Sequence, residues 1–99
     1  MGEPSARTLV RCMALDRAEF LRLLPSALGD VQWRRVGARI LVGDSPRRIE
    51  IHLGEEAKRT LGALVLPQLD ITFHFEGLTA KEIESFLRRF DLAFQRGGG

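Results

Sequence analysis

Cysteine occurs once in the 99 residues, at Cys12, so the chain can form no internal disulfide and no cysteine-based zinc site. Tyrosine and asparagine are absent, and the basic residues are arginine except for Lys58 and Lys81. That bias reads as the mark of a GC-rich bacterial genome before it reads as phosphate recognition. No apolar run approaches the ~20 residues needed to cross a bilayer. The run from Leu9 to Leu15 is interrupted by Arg11 and followed by no cleavage site, so no signal peptide is expected and the cytoplasm is the expected compartment. Also missing are Gly-x-Ser-x-Gly, a P-loop, a dinucleotide glycine fingerprint and His-Glu-x-x-His. No enzymatic activity, metal or cofactor is expected. The net charge of +2 is mild and is not by itself a nucleic-acid footprint.

What is there is organised around the C-terminal third. Leu69, Ile71, Phe73 and Phe75 alternate without error with Asp70, Thr72, His74 and Glu76, which predicts a strand with one buried and one wet face. Gly77 is expected to end it. Thr79 and Glu82 then have capping-box spacing, and Leu78 with Ile83 has that of a hydrophobic staple. Ile83, Phe86, Leu87, Phe90, Ala93 and Phe94 fall on one stripe of the helix that follows. Lys81, Glu84, Ser85, Arg88, Gln95 and Arg96 fall opposite, with Leu92 as the one apolar residue among them. Gly97 suits a left-handed C-terminal cap.

Upstream, residues 1–6 read as a flexible start and Arg7–Leu15 as a strand with Val10, Cys12 and Ala14 on its buried face. Asp16 opens a helix with Phe20, Leu21, Leu24, Ala27 and Leu28 inward, and Pro25 predicts a kink or a fresh helical turn. Val31–Leu53 reads as three strands. Gly37-Ala38 makes the first hairpin turn and Gly43-Asp44-Ser45-Pro46 the second, and Ile49, Ile51 and Leu53 alternate with Arg48, Glu50 and His52. Gly54–Arg59 reads as a polar loop or a single turn, and Leu61–Leu66 as an edge strand closed by Pro67 or a packed loop.

The expected architecture is one α+β domain over residues 1–99, flexible at 1–6 and 97–99. It is a two-layer sandwich, with an antiparallel sheet of five to six strands and two helices on one face, in the order β-α-β-β-β-(β)-β-α. With so many phenylalanines the layer between them is expected to be solid. The order resembles a shortened helix-grip arrangement, in which a curved antiparallel sheet wraps a long C-terminal helix; this likeness of element order implies no ligand.

Four groups of residues are candidates for function. Arg48, Glu50, His52, Thr72 and His74 share the wet faces of the two cleanest strands. If those strands are neighbours, the two histidines and a carboxylate have ligand types suited to zinc or non-haem iron; otherwise they form a solvated face. Arg88, Arg89 and Leu92 form a possible partner patch on the last helix. Arg34, Arg35, Arg39, Arg47 and Arg48 gather around two turns and carry a weak nucleic-acid reading, against which every phenylalanine and Trp33 falls on a predicted buried face. Last, the chain ends Arg96-Gly97-Gly98-Gly99, and this terminal Gly-Gly resembles that of ubiquitin-like modifiers and sulfur carriers. The resemblance implies activation of the terminal carboxylate through Gly98 and Gly99. Those families have a β-grasp fold with two strands before the helix, and here one strand precedes it. The reading that best fits the whole is a small soluble binding domain that acts on a protein partner or on itself.

Overall fold

The computed structural model describes residues 5–44 and 46–97. The chain runs β1 (Ser5–Met13), α1 (Arg17–Leu28), β2 (Trp33–Val36), β3 (Arg39–Asp44), β4 (Arg47–Leu61), β5 (Leu64–Leu78) and α2 (Ala80–Gly97). The strands form one antiparallel sheet in the order β1-β5-β4-β3-β2. Both helices pack on the same face, giving the expected two-layer α+β sandwich. The first strand therefore lies beside the last, and sequential hairpins build the rest.

Each helix starts as its sequence dictates. Asp16 caps α1 by accepting from the Glu19 N–H at 2.8 Å. At α2 the capping box is complete: the Thr79 N–H donates to Glu82 at 2.9 Å and the Glu82 N–H donates to the Thr79 hydroxyl at 3.2 Å. α1 is assigned as one helix through Pro25 rather than restarting there.

Phe73 of β5 meets Phe90 of α2 edge-on at 5.1 Å, Phe90 meets Phe94 at 4.6 Å, and Phe94 stacks on Phe20 of α1 at 5.0 Å. This aromatic column ties the sheet to α2 and α2 to α1, and all six phenylalanines are buried. No polar or charged side chain among the described residues is fully buried.

Three expectations are corrected. β1 has the opposite phase: Leu9, Arg11 and Met13 pair with Phe73, Ile71 and Leu69 and face the helices, while Val10 and Cys12 face solvent. Arg11 can point inward because Asp91 of α2 receives it at both carboxylate oxygens, 2.8 and 3.3 Å away. The strand also begins earlier than expected, since Ser5 and Ala6 belong to it, just as Gly97 belongs to α2. Finally, Gly54–Arg59 is no loop and Leu61–Leu66 no separate strand. Both belong to one long hairpin, which turns at Gly62-Ala63 and runs on through Gly77 to Leu78.

Candidate functional site

The long hairpin gives the molecule its shape, 50 Å along one axis against 25 and 24 Å across. Only its proximal half lies over the core. The β3 ladder ends where Arg39 pairs with His52, and β1 ends where Met13 pairs with Leu69. Beyond those points β4 and β5 continue as a two-stranded arm. Its base is pinned by α1: the Arg17 guanidinium donates to the Gly54 carbonyl at 2.8 Å, and the Arg17 N–H to the Glu56 carboxylate at 2.9 Å. Gly54 sits in a bulge where any Cβ would come within 2.8 Å of the Asp70 carbonyl oxygen, so only glycine fits.

The sheet face away from the helices carries the sequence-predicted cluster. Register places Glu50 opposite His74, His52 opposite Thr72 and Arg48 opposite Glu76, so the two clean strands are neighbours. The His52 and His74 rings meet edge to face at 4.6 Å. Glu50 is the hub. It accepts from Arg39 at 2.8 Å and from His52 Nε2–H at 3.1 Å, and Arg48 stands 3.5 Å away. Arg48 also reaches Glu76 at 3.3 Å, and Thr8 shares a 3.1 Å hydrogen bond with His74 Nδ1. With its side chain only 17% exposed, Glu50 is held down to about 2, first by the Arg39 hydrogen bond and then by that of His52.

That environment decides its chemistry. A carboxylate so strongly held is a poor proton acceptor near neutrality and is already committed to two guanidinium groups and the His52 ring. The convergence that could have made a metal centre does occur, but Glu50 turns to Arg39 and His52. No group of three or more His, Cys, Asp or Glu among the described residues is arranged to hold a metal ion. Cys12 is exposed rather than buried as expected. Its thiol is pushed up by desolvation, then by the hydrogen bond and charge of Asp70, which leaves less thiolate at neutral pH.

Three of the five arginines around the turns are paired with carboxylates: Arg39 and Arg48 with Glu50, and Arg47 with Glu82; Arg35 donates to the neutral Gly37 carbonyl. Trp33 packs against the core from the helix side, so among the described residues no aromatic ring of phenylalanine or tryptophan lies on the open face for base stacking. On α2, Arg88, Arg89 and Leu92 are all exposed, Leu92 at 45%, as the helical period requires. Gly98 and Gly99 lie outside the described residues.

A concavity of about 830 Å³ opens between the end of β1, the start of α1, Pro67 and the last turns of α2. Its charged groups are already engaged: Arg11 with Asp91, Glu19 with Arg22, and Asp16 as a cap. No unpartnered pair of groups converges there to do chemistry.

Sequence reasoning missed the arm and its apolar side chains. Leu61, Leu64 and Val65 are exposed at its tip, with Leu61 directly opposite Leu64. The signal was present, because the Gly-Ala pair that turns the β2–β3 hairpin recurs at Gly62-Ala63. In both turns φ is positive only at the glycine, 62° and 60°, the type II′ pattern. No helix among the described residues is long and apolar enough to cross a membrane. Compared with known proteins, the chain matches no family model, no curated protein and no solved structure.

Proposed function

We propose that this protein is a binding module, not a catalyst, and that it docks a protein surface on its helix-free sheet face and the arm continuing that face. The observation that carries this reading is the distribution of exposed apolar side chains. Of the seven large apolar side chains exposed among the described residues, Val10 (58%), Val36, Leu61 and Leu64 (62%) sit on the helix-free side, with half-buried Leu41 and Leu66 between them, while Val31, Val65 and Leu92 lie off that face. Apolar groups gathered on one face mark an interaction surface more than single ones do. Between them the Arg39–Glu50–Arg48 and histidine network supplies a pre-ordered polar field suited to orienting a partner. An exposed free thiol at Cys12 also fits a reducing compartment such as the cytoplasm.

The reading is tested by placing a charge at Val10 or Leu64. The wild-type chain is expected to retain a stoichiometric protein partner through native purification. Val10→Asp and Leu64→Asp are expected to abolish that association with Tm unchanged within a few degrees, since neither side chain is in the core. A wild-type protein that stays monomeric and partner-free refutes the proposal.

A further inference from the structure

The arm raises a physical difficulty. From Glu55 to Val65 its residues are exposed on both sides, and an isolated two-stranded ribbon is marginal in water. Both of its edges are open among the described residues, but they are not equivalent. The two-residue turn at Gly62-Ala63 makes Leu61 and Leu64 a hydrogen-bonded pair, and pairs alternate from there. Arg59 and Ala57 therefore direct their backbone groups toward β5, while Glu56, Lys58 and Thr60 direct theirs outward. By the same alternation Pro67, opposite Lys58, turns its nitrogen to the open side of β5. A proline there removes a donor and blunts the β5 edge; the β4 edge carries no proline, only charges of both signs that an oppositely charged strand can satisfy.

The charges on the β4 edge read Glu55-Glu56-Ala57-Lys58-Arg59, which is antisymmetric about Ala57. We infer that two copies of this chain join through it, their β4 arms pairing antiparallel about a two-fold axis at Ala57. Glu55 of each copy then faces Arg59 of the other, and Glu56 faces Lys58. The backbone makes the same choice independently. Glu56 and Lys58 are the residues with outward N–H and C=O groups, so they exchange both hydrogen bonds, and Ala57 meets Ala57 in the close, non-hydrogen-bonded position that a methyl permits. Moving the axis to Lys58 sets lysine against lysine, and moving it to Glu56 sets glutamate against glutamate, so charge selects one register. The paired segment is short because the Gly37-Ala38 turn closes the β4 edge at Leu53, whose N–H donates to the Ala38 carbonyl at 2.8 Å. A two-fold axis normal to the sheet leaves both helix-free faces on one side, as a single platform.

This inference rests on the binding reading above, whose face it sets side by side in two copies, and it gives the β4 edge one occupant, a second copy. Its test uses the full chain in sedimentation equilibrium. Wild type is expected to reach twice the mass of one chain. Arg59→Glu, which faces Glu55 with a like charge at both symmetric positions, is expected to weaken the dimer about tenfold or more. The double variant Glu55→Arg/Arg59→Glu is expected to restore it. In a Cys12→Ser background, Ala57→Cys is expected to form a disulfide-linked dimer on mild oxidation, whereas Lys81→Cys on α2 is not. A dimer indifferent to Arg59→Glu and uncrosslinked at position 57 overturns the edge pairing. If that dimer is nevertheless lost in Val10→Asp, the binding face stands while the edge falls. A strictly monomeric wild type overturns the pairing outright.

Discussion

At the scale of single residues, Glu50 is the side chain whose ionisation is most strongly set by the fold. Its folded pKa of about 2 lies below the unfolded 4.5, so its stabilising contribution is complete above about pH 4.5 and is lost as pH falls toward 2. Glu50→Gln is expected to cost about 1 kcal/mol at pH 7, given that its partners Arg39 and Arg48 are partly solvated. The difference between the two proteins should shrink as pH falls below about 4.5 and be largely lost at pH 2, as followed by urea denaturation across that range. A gap independent of pH would mean that the Arg39 and His52 contacts do not hold the carboxylate. Most of this cluster was legible in the sequence, because strict alternation in Ile49–Leu53 and Leu69–Glu76 placed Arg48, Glu50, His52, Thr72 and His74 on one face. Arg11 was not. Val10, Cys12 and Ala14 form as plausible an apolar row as Leu9 and Met13, and the ion pair that reverses the choice is made with Asp91, remote in sequence.

Among the elements, the β4–β5 arm is set apart by holding no core residue between Glu55 and Gln68. Replacing residues 57–68 with a four-residue turn is therefore expected to leave Tm within a few degrees of wild type while removing self-association. A large fall in Tm would show that the arm supports the body. The same absence of a core explains why the arm escaped sequence reading. With nothing beneath it, Gly54–Arg59 needs no apolar alternation, and alternation is the main signal by which a strand is recognised. The helix starts, in contrast, depend only on neighbours in the chain, and both were legible to the residue. The second Gly-Ala turn was equally local and could have been read by the rule applied to the first.

For the molecule as a whole, stability rests on one apolar layer in which Phe90 touches Phe20, Phe73, Phe86 and Phe94. Phe90→Ala is expected to cost about 3–5 kcal/mol in chemical denaturation, enough to threaten a domain of this size. A loss below about 1 kcal/mol would mean that the layer repacks. The fold class followed from element order, and adjacency through short turns gave β2 to β5. The place of β1 did not follow, because no local signal says which edge an opening strand will join. Its position beside β5 also governs how the protein is made. Arg7 pairs with Phe75 and Thr8 with His74, so the first strand has no partner until β5 has been synthesised. During synthesis β2, β3 and the start of β4 can pair early, while β1 waits for β5. Refolding in vitro should be correspondingly slow, on the millisecond-to-second scale of folds dominated by distant pairings.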